Sequence, residues 1–242
     1  MNRLLISFFL ILSPLVIFSQ NFTRQDSLRG SITPQRAWWD LTYYHLDISV
    51  DPDNRFIKGS NTVQYKVLEA NDEMQIDLQE PLKITKITQD GNELNFRSEG
   101  YSHFIKLKKK QVKDKIKSIK IHYEGNPKIA VNPPWDGGLT WTRDFNGKHF
   151  VANSNQGIGA SIWWPNKDHM YDEVDSMLIS VNVPKELVNV SNGRLRSIED
   201  FGDTKTYHWF VSNPINNYGV NINIGDYLMF SEVYDGEKGD LD

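Results

Sequence analysis

Apolar side chains fall at every second position along most of this sequence. Tyr44, Leu46, Ile48 and Val50 alternate with Tyr43, His45, Asp47 and Ser49, and Ile57, Val63, Tyr65 and Val67 alternate with Lys58, Thr62, Gln64 and Lys66. Successive side chains of a strand point to opposite faces, so this pattern buries one face and wets the other. The two runs read as a hairpin closed by Asp51-Pro-Asp-Asn54. Further strands are expected at Met74 to Leu78, at Leu82 to Ile87 and Leu94 to Phe96 around an Asp90-Gly91 turn, at Phe104 to Leu107 and at Ile119 to Tyr123. The pattern returns at Met177 to Val183, which Pro184 ends, and at Val188 and Val190 leading into an Asn192-Gly193 turn. Tyr207, Trp209 and Val211 then follow a turn at Phe201-Gly-Asp203, and Tyr218, Val220, Ile222 and Ile224 supply the last strand. No window keeps a helical period, and there is no internal repeat or low-complexity linker. The prediction is an all-β chain, a large antiparallel or mixed β-sandwich.

One segment breaks the alternation. Val151 to Asp172 reads V-A-N-S-N-Q-G-I-G-A-S-I-W-W-P-N-K-D-H-M-Y-D, neither a clean strand nor a helix. Gly157 and Gly159 permit a positive φ or a close backbone approach, and Pro165 forces Trp164 towards extended geometry. Gln156 is therefore expected on a shaped loop, with Trp163 and Trp164 behind it. A second irregular stretch, Asn132-Pro-Pro-Trp-Asp-Gly-Gly138, places Trp135 near Trp141, and filling the space beneath a long loop is favoured for this pair over stacking on a ligand.

The central segment resembles the end of the N-terminal β domain of the aminopeptidase N family of zinc exopeptidases, which includes leukotriene hydrolases. In that family a Glu or Gln stands nine residues before the proline of an apolar-Pro-x-x-Asp motif, the spacing held here by Gln156, Pro165 and Asp168. Tyr44 to Val50 with Phe56-Ile-Lys-Gly59, Ile76-Asp-Leu78, His122-Tyr-Glu-Gly125, Gly138-Leu139, Ser191-Asn-Gly193 and the Gly219 to Gly225 strand follow in the family's order. The resemblance covers residues 36 to 235 and implies a saddle-like β domain, with 236–242 beginning a linker towards a zinc-bearing catalytic domain in the same or another chain. It also implies that Gln156, with Gly157 and Ser154 beside it, faces the active-site cleft and helps bind the α-amine of a peptide. The family often carries Gln at the position of Ser154 and Arg at that of Ser161.

The ends of the chain carry a different signal. Arg3 followed by the apolar run Leu4 to Phe18 reads as a secretory signal over residues 1–20, cleaved near Ser19 or Gln20, because the run is shorter than the ~20 residues of a membrane span. Residues 21–35 then form a polar arm before the fold begins. The chain has no cysteine, which excludes a disulfide framework, thiolate chemistry and a lipidated cysteine. An exported, cysteine-free domain points to a bacterial periplasm or exterior. A net charge of −4 over 242 residues gives no general field for nucleic acid, and no membrane span is expected after cleavage.

Zinc exopeptidase chemistry needs two histidines one helical turn apart with a glutamate between them. None of the six histidines begins H-E-x-x-H, no G-x-M-E-N segment occurs, and no G-x-S-x-G elbow suggests a serine hydrolase. The chain is therefore expected to hold no cofactor of its own and not to hydrolyse peptides alone. Asp168, Asp172, Glu173 and Asp175 lack the spacing of a calcium loop and read as an exposed acidic turn, with Asp168 accepting from amides after Pro165. Eight lysines between Lys106 and Lys120 read as a solvent face, a connecting loop and protection of strand edges. The alternative function is a sugar- or peptide-binding module that uses Trp135, Trp141, Trp163 and Trp164 as an exposed platform.

Overall fold

The structure, a computed structural model, describes residues 22–237 and 239–241, and the signal segment expected over residues 1–20 lies outside them. In chain order the regular elements are α1 (Arg24–Gly30), the short α2 (Pro34–Ala37), β1 (Trp39–Asp51), β2 (Phe56–Val67), β3 (Glu73–Asp77), β4 (Lys83–Gln89), β5 (Asn92–Glu93), β6 (Asn95–Glu99), β7 (Ser102–Lys106) and β8 (Ile116–Gly125). They continue with β9 (Gly138–Arg143), β10 (His149–Ser154), β11 (Ser176–Pro184), β12 (Val188–Ser191), β13 (Arg194–Asp200), β14 (Thr204–Val211), β15 (Ile222–Gly225), β16 (Tyr234–Gly236) and β17 (Gly239–Leu241).

The strands form an eight-stranded sheet in the order β13-β14-β11-β1-β2-β8-β4-β5, a four-stranded sheet β12-β15-β10-β9, a three-stranded sheet β3-β7-β6 and the ribbon β16-β17. β1 runs parallel to β11 and antiparallel to β2, so the large sheet is mixed. Its inner face carries the alternating set legible in the sequence: Tyr44, Leu46, Ile48 and Val50 of β1, Val63 and Tyr65 of β2, and Met177, Ile179 and Val181 of β11 are all buried. Met74, Ile76 and Ile105 of the three-stranded sheet and Leu139, Val151, Ile222 and Ile224 of the four-stranded sheet join the same core. Each such side chain removed from water contributes about 1.5–3 kcal/mol, which is how a chain without disulfides holds together.

Several expectations need correction. The segment read as a polar arm is folded: Thr23 caps α1 in a reciprocal capping box with Asp26, and Leu28 is buried against the domain. A helix of seven residues is too short to show a period and is held by tertiary packing, so the alternation-based reading missed it. The chain does turn at Asn192-Gly193, but the strands on either side do not pair with each other. β12 pairs with β15 in the small sheet and β13 with β14 in the large one, so these two residues carry the chain between layers. Gly193 has φ +85°, and a Cβ there would sit 2.2 Å from the Phe210 carbonyl oxygen.

The lysines do not guard edges. β8 lies between β2 and β4, and β7 is the middle strand of its sheet, so Lys106, Lys117 and Lys120 stand on outward faces of interior strands. Among the described residues no helix is long and apolar enough to cross a membrane.

Candidate functional site

β10 is an interior strand of the four-stranded sheet, and the loop that holds Gln156 leaves from its end at Ser154. Asn155 is buried and organises the turn: its carbonyl accepts from the Ile158 and Gly159 amides at 3.3 and 3.0 Å, and its Nδ2 donates to the Tyr218 carbonyl at 2.7 Å. Gln156 and Gly157 therefore sit exposed at the tip. Gly157 has φ +75° with open space around it, which suits a backbone that must turn in solvent.

Beyond the tip the chain dives inward. Ala160, Ile162, Trp163 and Trp164 are buried in the core, with the Tyr44 and Trp164 ring centroids 5.1 Å apart in an edge-on arrangement. Trp163 and Trp164 are each 0% exposed, so they cannot form a ligand platform; only Trp135, 74% exposed, retains an open ring, while Trp141 packs against the core. The module reading loses its central pair, because the rings were needed to fill the space between sheets.

The segment is anchored by two buried ion pairs. Lys167, fully buried, pairs with the Asp172 carboxylate, donates to the Trp39 carbonyl at 2.7 Å and lies 3.9 Å from the Trp39 ring centroid. Burial lowers its ammonium to about 8, with the Asp172 carboxylate opposing the shift. Arg36, also fully buried, pairs with Asp77 and donates through Nη1 to the Leu28 and Ser31 carbonyls at 2.8 and 2.9 Å. Burial raises the Asp77 carboxyl, and Arg36 opposes it. Asp77 also exchanges backbone hydrogen bonds with Asn166 at 2.9 and 3.1 Å, so α1, β3 and the central segment are tied at one point. The acidic turn is thus only partly exposed: Asp172 is a buried partner of Lys167.

Asp168 acts on the chain before Pro165 rather than after it. Its Oδ2 accepts from the Ser161 amide at 3.1 Å and the Ser161 hydroxyl at 2.6 Å. Gly159 makes room for it, since a Cβ there would lie 2.5 Å from that same oxygen.

The three residues expected to bind substrate lie together on this one loop, with different freedoms. The Ser154 hydroxyl donates to the Pro134 carbonyl at 2.7 Å and is turned towards the neighbouring loop. The Gly157 carbonyl accepts from Arg29 of α1 at 3.4 Å. The Gln156 Oε1 accepts from the Tyr218 hydroxyl at 2.6 Å, and its Nε2 has no partner among the described residues. Tyr218 borders a cleft of about 650 Å³ between α1 and residues 168–173, lined also by Asp26, Arg29, Asp168, His169 and Glu173. Sequence reasoning missed both α1 and Tyr218 as neighbours of the loop, because neither is near it in the chain.

A zinc ion does not fit the residues described. Among them no three histidines or carboxylates are grouped to hold a metal. Four of the six histidines bond elsewhere: His45 and His208 both bond to the Ser180 hydroxyl, His103 lies between the Ser98 hydroxyl and the Leu78 carbonyl, and His149 meets Asp53.

A family model described as the peptidase M1 N-terminal domain matches residues 41–218. Among solved structures, the M1 zinc metallopeptidase from Deinococcus radiodurans aligns with a TM-score of 0.66 at 16% identity, over 79% of this chain and 43% of its own. A mutant of that enzyme bound to a Tyr-Ser-Ala substrate aligns at 0.66 and 17% over the same shares. Native leukotriene A4 hydrolase from Saccharomyces cerevisiae aligns at 0.61 and 20%, over 83% of this chain and 30% of its own. This chain spans less than half the length of these structures, and at such identities the likeness establishes the fold alone. No curated protein matches the sequence.

Proposed function

Because this chain belongs to the peptidase M1 N-terminal domain family, we propose that it serves as the substrate-recognising β domain of an exported zinc aminopeptidase. In this reading a catalytic domain, in the same or another polypeptide, supplies the zinc and the general base, and this domain supplies Gln156 and Gly157 to the amino-terminal end of the peptide. The observation that supports it most is the placement of Gln156: exposed at the tip of a loop whose base is locked into the core, with one face of its amide free. The Tyr-Ser-Ala peptide carried by the Deinococcus mutant is consistent with a peptide as the ligand class.

Two experiments test this. The coding sequence beyond codon 242 should contain G-x-M-E-N followed by H-E-x-x-H; a stop codon with neither motif nearby would refute a catalytic partner in the same chain. In the complete polypeptide, Gln156→Ala should raise KM for peptides by roughly 3- to 30-fold, the loss of one or two hydrogen bonds, and an unchanged KM would remove Gln156 from the site. Export rests on the Arg3 and Leu4 to Phe18 pattern. Cell fractionation with N-terminal sequencing should find a mature protein beginning after Ser19 or Gln20.

A further inference from the structure

The loop that joins β7 to β8 carries a run of lysines on a fixed backbone. The Leu107 amide donates to the Asp72 carbonyl at 2.8 Å, the Gln111 amide to the Asn71 carbonyl at 2.8 Å and the Asp114 amide to the Val67 carbonyl at 2.7 Å. Leu107 and Gln111 are buried, and the side chains between and after them turn outward. Lys108, Lys109, Lys110, Lys113 and Lys115 are exposed and form no ion pair among the described residues, whereas Lys106 pairs with Asp72 and Lys117 with Asp90. The other acids close by are Asp114, in the loop itself, and Glu69, in the segment that holds it. Two aliphatic side chains stand among the lysines: Val112 is 63% exposed, and Ile116, the first residue of β8, is 62% exposed. Ile116 lies opposite Lys66 of β2 and shares the outward face of β8 with Ser118 and Lys120.

We propose that this loop, together with Ile116, is a docking surface for an anionic lipid bilayer, with the lysines against the headgroups and Val112 and Ile116 entering the apolar boundary. Water suits the lysines alone; it does not suit two open aliphatic side chains held among them. A bilayer interface complements both, offering fixed negative charge within a Debye length and an apolar layer beneath it. The lysine stems lie along the same boundary while their ammonium groups stay in water. A nucleic acid would answer the charge only, because its bases call for aromatic stacking partners and residues 107–116 contain none. With its backbone already pinned, the loop loses little freedom on docking. The chain as a whole carries a net charge of −4, so attraction is confined to this end and orients the domain with the loop towards the surface.

The test is co-sedimentation with lipid vesicles, using the chain from residue 21 onward, which keeps every described residue and lacks the apolar run Leu4 to Phe18 that would itself enter a bilayer. The protein should sediment with vesicles of three parts phosphatidylglycerol to seven parts phosphatidylcholine and not with phosphatidylcholine alone, and about 0.5 M sodium chloride should release most of it. Lys108→Gln, Lys109→Gln and Lys110→Gln together should weaken binding by more than about tenfold, and Val112→Ser with Ile116→Ser roughly 3- to 10-fold at unchanged charge. Lys128→Gln, Lys148→Gln and Lys185→Gln remove the same charge from exposed positions outside the loop and should leave binding within about twofold. All these side chains are on the surface, so each variant should keep the urea midpoint of the parent. Equal losses in the two lysine triples, no loss in the Val112 and Ile116 variant, or no sedimentation with the mixed vesicles would each overturn the proposal. So would a single-stranded oligonucleotide that binds more tightly than the vesicles, which would mark a polyanion site instead.

Discussion

Arg36 and Asp77, 41 positions apart, form an ion pair with neither side chain open to water, at the point where the N-terminal helix, β3 and the central segment meet. Asp77 further accepts from Gln75 and Ser102 at 3.0 Å each. Removing one partner of such a pair leaves an uncompensated buried charge. Arg36→Ala should therefore destabilise the domain by about 3–5 kcal/mol in urea unfolding. Hydrogen exchange should also show α1 opening more readily than β1, because Arg36 is what the α1 carbonyls are bonded to.

The Lys167–Asp172 pair tests the same physics with a rescue. Lys167→Ala should cost about 3–5 kcal/mol, since Asp172 stays buried without its partner. Lys167→Met combined with Asp172→Asn removes both charges and keeps the volume, and should recover most of that loss. If the double variant unfolds as readily as the single one, packing rather than charge governs the site.

His103 makes stability depend on pH. Its ring lies between the Ser98 hydroxyl at 2.8 Å and the Leu78 carbonyl at 3.1 Å, and burial lowers its pKa. The unfolded chain takes up a proton near pH ~6.5 while the folded chain still refuses it, so stability is complete above that pH and is lost as pH falls towards the depressed folded value. His45, lowered by the same cause, acts in the same direction. Urea midpoints should fall between pH 7.5 and pH 5, and His103→Phe should flatten the decline.

The tryptophans separate core from surface. Trp163→Ala should cost about 3–5 kcal/mol by opening a cavity between the sheets. Trp135→Ala, at a ring 74% exposed, should change stability by no more than about 0.5 kcal/mol. Comparable losses at both sites would contradict the packing described.

Gly193 and Gly202 share a left-handed backbone, φ +85° and +88°, but only Gly193 has the Phe210 carbonyl oxygen 2.2 Å from where a Cβ would stand. Gly202→Ala should cost about 1–2 kcal/mol, the backbone penalty alone. Gly193→Ala should cost more, because β12 and β13 then cannot pass between the sheets without displacing β14. Thermal melts of the two variants decide it.

The sequence alone marked the long core strands and their buried faces, since alternation is written into neighbouring residues: Tyr44 to Val50 and Met177 to Val183 turn inward as their periodicity requires, whereas β13 went unmarked and Tyr218, read as strand, lies on a 3-10 turn. It also placed Gln156 on an irregular loop, because glycines and a proline punctuate the backbone locally; that the loop tip is exposed is seen only in the structure. It did not reveal that Arg36 meets Asp77, that Lys167 meets Asp172 inside the core, that Asn192-Gly193 changes sheets, or that the Tyr218 hydroxyl bonds to Gln156 from 62 positions away. Those pairings depend on how sheets stack and in what register, and a polar residue looks the same in sequence whether its partner is water or a group brought to it by the fold. Tertiary structure decided them because a charge or amide withdrawn from water must find its complement wherever packing has put one.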